Sequence, residues 1–340
     1  MKIVTYLHRH NLGVIKRLGI LLNENTILDP NFIYACDFER EGRYNPRERA
    51  DHYCPSSLHA LLTLKENPLE ILQTAMGLKL FLEKCGTDSL LDGTKYLIDL
   101  STKGISLAAP LDKIETYRDF YAHEKHVEVG FKKRGEKIPE AWYEIPAYYK
   151  GATAHFIGPD TEVLWPSYTN VLDYELELGM VTGLDGYNIR EKDAHKHIFG
   201  FTILNDISAR DIQKKEMQIR LGPAKGKDFC SIIGPVITTF DEFESCEPNL
   251  LMTAKVNGEL WSKGYSADSH FTWAQMISHV AKDEWVRAGD LFGSGTVGTG
   301  CGLELDKWIK SGDLLELEIE GIGKLVNRVG KKASNRSTPH

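Results

Sequence analysis

The amino-acid sequence predicts an α+β, β-rich fold, in which a large strand-rich domain follows a smaller N-terminal α/β domain. Three observations carry this. Short strand-like runs recur beyond residue 106, among them AHFIG, VLWPS, LELGMVTG, FGFTILND, SIIGPVITTF, LMTAKVNGELW, DLFGSG and LLELEIEG. The segments between them are short, so the chain is not a regular strand–helix–strand array. At SLAAPLDKIE (106–115) helical periodicity gives way to Pro-bearing loop sequence, which places a boundary there. The expected division is 1–105 and 106–330, with 331–340 (KKASNRSTPH), which has no apolar anchor, as a disordered tail.

Taken in order, KIVTYL and RLGILL read as strands, and NEN (23–25) as a turn before TILD. Residues 36–55 are charged and read as irregular. SSLHALLTL reads as helical up to Glu66. Asn67-Pro68-Leu69-Glu70 is a helix start, with Asn as cap, Pro at the first helical position and Glu at the third. That helix runs to Cys85 and stops at Gly86. Two later segments, REKDAHKHI (190–198) and SARDIQKKEMQ (208–218), also read as helical. The histidines of HRH (8–10) stand one apart in a strand, a spacing that either binds metal or simply faces solvent.

Composition narrows the function classes. Of 340 residues, 42% are hydrophobic and 26% charged, ordinary values for a globular protein. A net charge of −7 with scattered basic residues argues against a general nucleic-acid or anionic-membrane binder. The six cysteines (36, 54, 85, 230, 246, 301) form no C-x-x-C pair, which suits reduced thiols in a cytoplasmic setting. No signal peptide and no run of about 20 apolar residues is seen.

Several stretches concentrate chemistry. DYELELG (173–179) alternates carboxylates with apolar residues, so in a strand they share one face. LELEIEG (315–321) has the same alternation, so pattern alone cannot separate a metal site from a wet strand face. In FGFTILNDISARDIQ (199–213), Asp206 stands where a strand hands over to a helix, as a turn former or a functional side chain. Ser208 and Asp211 have capping-box spacing, and Arg210 and Gln213 share a helix face. YRDFYAHEKH (117–126) groups Asp119, Tyr121, His123 and His126, but its H-E-K-H order misses the zinc-protease spacing by one residue. GSGTVGTGCG (293–302) lacks the G-K-[ST] of a phosphate loop and is either a turn or a backbone wall for a small substrate. Lys227 in KGKDF is either a surface lysine or a buried oxyanion donor. If Asp119, Glu175, Glu177 and Asp206 converge, their oxygens suit a hard cation, and without one they could not stay together ionised.

The order D-F-Y (119–121), E-L-E (175–177), N-D-x-S-A-R-D-x-Q (205–213), G-K (226–227) and G-S-G-T (293–296) resembles the fumarylacetoacetate hydrolase superfamily over roughly residues 106–325. PEAWYEIPAYYKG (139–151) resembles the substrate-binding tyrosine stretch of the hydrolase branch that gives the family its name. The resemblance implies a mixed β-roll/sandwich catalytic domain and Asp119, Glu175, Glu177 and Asp206 as ligands of a divalent cation, Mg²⁺ first, with Ca²⁺ or Mn²⁺ as alternatives. It implies His126 as the water-activating base and Glu304 as its orienting partner. Arg210, Gln213 and Lys227 then form the oxyanion group, and Tyr121, Arg134, Tyr149 and Thr296 contact substrate. Asp173 falls outside the set, as a supporting or surface residue.

The activity implied is hydrolysis of a carbon–carbon bond in a small 2-oxo, 1,3-diketo acid, by a homodimer. Other expectations are an isomerase, decarboxylase or lyase of the superfamily acting on a 2-oxo acid from aromatic or ureide catabolism, or a non-catalytic metal-binding scaffold. Lys150 departs from the His that the branch carries there. His126 is followed by Val127-Glu128-Val129, which misses the H-x-x-E of the lyase and decarboxylase lid and so favours the hydrolase pair.

Overall fold

A computed structural model describes residues 1–334 apart from residues 12 and 65. Its main element is a twelve-stranded mixed sheet. Along it lie, in spatial order, Leu97–Asp99, Thr26–Leu28, Gly13–Asn23, Lys2–His10, Ser231–Thr239, Ile198–Asp206, Leu176–Thr182, Leu291–Gly293, Tyr117–Phe120 and Tyr148–Gly151. A second sheet of five strands orders as Glu259–Tyr265, Leu251–Val256, Leu314–Ile319, Gly323–Lys332 and Val163–Trp165.

The central strands are apolar on both faces, and two cores explain why. Leu178, Met180, Ile203 and Ile232 point toward the five-stranded sheet, where they join Met252, Leu315 and Leu317 in one core. Their neighbours Val181, Leu204 and Ile233 point the other way and pack with Leu61, Leu72 and Ile20 of the N-terminal region. Side chains that alternate faces, with both faces covered, require nearly continuous apolar runs such as FGFTIL and SIIGPVI. The sheet continues across residue 105: Lys2 and Ile3 pair with Thr238 and Ile237. Residues 1–105 thus lengthen the sheet at one edge and cover one of its faces.

Local signals acted as expected around Pro68–Lys84. Asn67 Oδ1 accepts from the Leu69 N–H at 3.1 Å, and Gly86 takes the left-handed conformation, φ 72°, just past the helix end. The histidines of HRH lie on one strand, with His8 and His10 edge to face at 5.9 Å.

Elsewhere the structure differs from the sequence reading. Residues 36–55 are largely helical, as Pro30–Arg40 and Pro46–Tyr53. The first begins at an Asp-Pro pair in which Asp29 Oδ1 accepts from the Phe32 N–H at 2.9 Å, a cap that the strand reading of TILD concealed. Residues 191–197 form a tighter 3₁₀ helix. The capping box at Ser208 does not form: Ser208 bonds the Asp206 carbonyl, and Asp211 accepts from Thr169 and Asn170. Lys331 and Lys332 belong to the strand Gly323–Lys332, so the expected tail starts too early, and residues 335–340 lie outside the described residues.

Candidate active site

The two glutamate stripes have different surroundings. Asp173, Glu175 and Glu177 are all buried, whereas Glu316 is half-buried beside Lys324 and Glu318 is exposed. Leu176–Thr182 lies between Ile198–Asp206 and Leu291–Gly293, and the latter strand pairs Gly293 with Asp119. This order brings Asp119 and Glu177 together across Gly293. Ligand oxygens of Asp119, Glu175 and Glu177 lie within 4.8 Å of one another.

Each carboxylate has a different set of supports. Asp119 Oδ2 accepts from Tyr117 at 2.9 Å, and Glu177 Oε1 accepts from Thr296 at 3.2 Å. Their other oxygens, Asp119 Oδ1 and Glu177 Oε2, are buried with no hydrogen-bond partner among the described residues. Both face the space beside Gly293, where a Cβ would stand 2.4 Å from the first and 2.8 Å from the second. Asp206 is joined to Glu175 through Lys227, whose Nζ donates to Asp206 Oδ2 and Glu175 Oε2, each at 2.5 Å. Asp206 also accepts from Tyr149 at 2.6 Å and Ser231 at 3.2 Å.

Electrostatics sorts these groups. Burial, then the neighbouring Asp206, pushes Asp119 up to about 8. Burial, then Asp119 and Glu175, pushes Glu177 well above the carboxylate range. Burial also raises Asp206, against the pull of Lys227. Burial would raise Glu175 as well, but Lys227 and Arg210 outweigh it and hold it at about 2. Buried carboxylates with unpaired oxygens turned to one space need either shared protons or a cation. An all-oxygen donor set with two such unpaired oxygens fits a hard divalent cation, which Asp119, Glu175 and Glu177 would hold, with Asp206 adjoining.

A second group adjoins the first. His126, on the helix Glu124–Arg134, places Nδ1 2.7 Å from Glu304 Oε1 on the short helix Gly302–Leu305. The other Glu304 oxygen accepts from the Thr299 N–H at 2.9 Å, so the carboxylate is held at both ends. Tyr121 stacks edge to face on His126, with ring centroids 5.4 Å apart. His123 is buried with neither ring nitrogen paired among the described residues, and burial pushes it down to about 4, which keeps it neutral.

The remaining expected residues divide. Lys227 is in the cluster, Thr296 supports Glu177, and Tyr149 supports Asp206. Arg210 is bound to Glu175 and Asp173, and its Nη1 donates to Gln213 Oε1 at 2.9 Å, so both side chains brace the carboxylates. Arg134 is not brought into the buried group. It pairs with Glu136 at 3.2 Å on the surface, with its guanidinium over Phe131. Asp173 is not a surface residue: it is wholly buried and accepts from Arg210, Gly302 and Leu303. Sequence reasoning also missed Tyr117, Cys301 and the close approach at Gly293. The alternation of DYELELG did include Asp173, and its bonds to Arg210, Gly302 and Leu303 show what it supports.

The fold, the carboxylate cluster and the His–Glu pair together describe a buried polar site whose oxygens suit a divalent metal. The chain belongs to the fumarylacetoacetate hydrolase family, since residues 115–330 match the family described as Fumarylacetoacetate (FAA) hydrolase C-terminal. This is an enzyme family that includes hydrolases, isomerases and tautomerases. The chain is 39% identical over 163 residues to Oxaloacetate tautomerase YisK of Bacillus subtilis, covering 48% of this chain and 53% of that protein. It is 31% identical over 243 residues to Fumarylacetoacetase of Oryza sativa subsp. japonica, covering 56% of each. The matches thus span about half the length of these two relatives. Among solved structures, the fumarylacetoacetate hydrolase from psychrophilic Exiguobacterium antarcticum superposes with a TM-score of 0.65 at 23% identity, covering 97% of this chain and all of that one. A maleylpyruvate hydrolase from Sphingobium sp. SYK-6, solved with manganese(II) and pyruvate, gives 0.64 at 19% identity, covering 98% of this chain and 100% of that one. Among the described residues no helix is long and apolar enough to cross a membrane.

Proposed function

We propose that the chain is a metal-dependent hydrolase that cleaves a carbon–carbon bond in a small 1,3-diketo acid of the acylpyruvate or fumarylacetoacetate type. The observation that carries this reading is the His126–Glu304 pair, 2.7 Å apart and adjoining the carboxylate cluster. The cation taken first is Mg²⁺, with Ca²⁺ or Mn²⁺ as alternatives. Bound at the carboxylates, it would polarise substrate carbonyl oxygens and stabilise the enolate released on cleavage.

The chain's own residues do the rest. Glu304 accepts a hydrogen bond from Nδ1–H, which leaves the Nε2 lone pair of His126 to take a proton from water. The hydroxide so formed adds to the distal ketone carbon. When the carbon–carbon bond breaks, its electron pair leaves with the oxo-acid fragment (pyruvate from an acylpyruvate, acetoacetate from fumarylacetoacetate), whose carbon is then protonated. Burial disfavours the charge on Lys227, but Asp206 and Glu175 outweigh it and raise its pKa, so it remains a cationic donor. As a donor to the oxyanion, Lys227 would be worth about 10²–10³ in rate. In this reading Tyr121 and Thr296 would contact the substrate, and Arg134 could meet a distal carboxylate only by leaving Glu136. The homodimer implied by the resemblance and the cytoplasmic setting read from the cysteines belong to the same reading.

A second reading, keto–enol tautomerisation of oxaloacetate, is favoured by the 39% identity to Oxaloacetate tautomerase YisK. The same His126 would then move a proton between carbon and oxygen, with no water added. One panel separates the two. Acetylpyruvate and fumarylacetoacetate are incubated with Mg²⁺-loaded protein and the products resolved, while enol-oxaloacetate ketonisation is followed in parallel. Two carboxylic-acid products in equal amounts support hydrolysis. Faster ketonisation with intact diketo acids overturns it in favour of the tautomerase.

A further inference from the structure

We propose that Cys301, His126 and Glu304 form a second metal site, selective for a borderline cation such as Zn²⁺, whose occupation switches the enzyme off. Binding stands on the geometry alone; the inhibition also rests on the reading of His126 as the base.

The three side chains offer sulfur, nitrogen and oxygen at one point, with donor atoms within 4.8 Å of one another. Cys301 Sγ is 3.9 Å from His126 Nδ1 and 3.6 Å from Glu304 Oε1, and those two are 2.7 Å apart. Tetrahedral Zn²⁺, with bonds of about 2.0–2.3 Å, sets such donors roughly 3.4–3.6 Å apart. Two edges are close to that, and the third needs to open by about 0.7 Å, a movement that rotation of the Glu304 carboxyl can supply. The donor chemistry differs from that of the neighbouring cluster, where every ligand is a carboxylate oxygen. Hard cations are directed to the carboxylates, and a thiol–imidazole–carboxylate set favours Zn²⁺ or Co²⁺.

The exchange balances without a further reactant. As the metal–sulfur bond forms, the Cys301 S–H bond breaks and its proton passes to solvent. The His126 ring proton shifts to Nε2 as Nδ1 becomes a ligand. That places a proton on the nitrogen which must otherwise accept one from water, so turnover stops. No oxidation or reduction is involved. Cys301 lies wholly buried, and burial pushes its thiol well above the ordinary range, so without a metal it is a neutral neighbour of the pair and not a nucleophile.

The test uses the full chain loaded with Mg²⁺ and titrated separately with Co²⁺ and Zn²⁺. Cobalt should give a near-ultraviolet thiolate-to-metal charge-transfer band, absent in Cys301→Ser and Cys301→Ala. Zinc should inhibit, and either variant should need at least about tenfold more zinc for half-inhibition, as expected for losing a soft ligand. Each variant's turnover without zinc serves as its own reference. Folded wild-type protein with no thiolate band overturns the site. So does a zinc sensitivity that both variants retain, which would place zinc at the carboxylates. The cobalt band needs no substrate, so its outcome is independent of whether the reaction is hydrolysis or tautomerisation.

Discussion

Asp173 and Arg210 form a buried ion pair, with Arg210 Nε 2.8 Å and Nη2 2.7 Å from Asp173 Oδ2. The same carboxylate accepts from the N–H groups of Gly302 at 2.8 Å and Leu303 at 2.9 Å, at the start of the helix that carries Glu304. Arg210 in turn reaches Glu175 at 2.7 Å. One aspartate therefore ties a candidate metal ligand to the partner of the candidate base. Asp173→Asn keeps the shape and removes the charge, which frees Arg210 to pair more fully with Glu175. Mg²⁺ affinity should fall by about 10–100-fold, as for other residues that orient metal ligands. Asp173→Ala, which leaves Arg210 buried and half-paired, should cost about 3–5 kcal/mol of stability. Calorimetric titration with Mg²⁺ and urea unfolding check the two effects. Unchanged affinity in a folded Asp173→Asn protein would count against the link.

Gly293 is required by the lack of space around it. A Cβ there would meet Asp119 Oδ1 at 2.4 Å, Glu177 Oε2 at 2.8 Å and Leu204 Cδ2 at 2.8 Å. These neighbours are buried and cannot swing into solvent. Gly293→Ala should therefore displace the two oxygens turned toward the cation. The overpacking should cost about 1–3 kcal/mol, and metal affinity should fall far more than stability does. A thermal melt with a parallel Mg²⁺ titration separates the two; normal metal binding in this variant would show that the space is not part of the site.

The raised carboxylates set a pH dependence with a definite sign. Asp119 is lifted from its usual 3.8 to about 8, and Glu177 is lifted further by burial and by Asp119. In the metal-free fold they keep protons that the unfolded chain gives up at lower pH. The fold then binds more protons than the unfolded chain, so stability falls as pH rises. The contribution of Asp119 is full below about 3.8 and is lost progressively as pH climbs through about 8. A cation replaces those protons, so Mg²⁺ should bind more tightly at pH 8 than at pH 6, releasing protons as it binds. EDTA-treated protein should melt lower at pH 8 than at pH 6, and Mg²⁺ should reverse the difference. A flat melting temperature in EDTA across that range would refute the assignment.

How much of this was readable in the sequence depended on how local the cause was. The cap at Asn67, the stop at Gly86 and the twofold alternation of the central strands act within a few residues, and each appears where its chemistry places it. The helix Pro30–Arg40 has an equally local start at Asp29, but TILD also satisfies a strand pattern, and the strand in fact runs up to Leu28. DYELELG and LELEIEG could not be told apart because burial is decided by the neighbouring strands, which are far away in sequence. Arg134 is separated from the buried group by its pairing with Glu136 and its position over Phe131 on the helix surface. Cys301 met the His126–Glu304 pair only through folding, since 175 residues separate it from His126.

The His126–Glu304 pair gives the sharpest kinetic prediction. His126→Ala removes the nitrogen that takes the proton, so kcat should fall by about 10²–10⁴ with little change in KM. Glu304→Gln keeps an oxygen able to accept from Nδ1 but removes the negative charge that stabilises the imidazolium formed when the ring takes a proton. Its loss should therefore be smaller than that of His126→Ala. Neither residue is among the cluster carboxylates, so Mg²⁺ affinity measured by calorimetry should stay close to that of the wild type. If His126→Ala raised KM and left kcat intact, His126 would be a binding residue, and the water-activating role would have to be sought elsewhere.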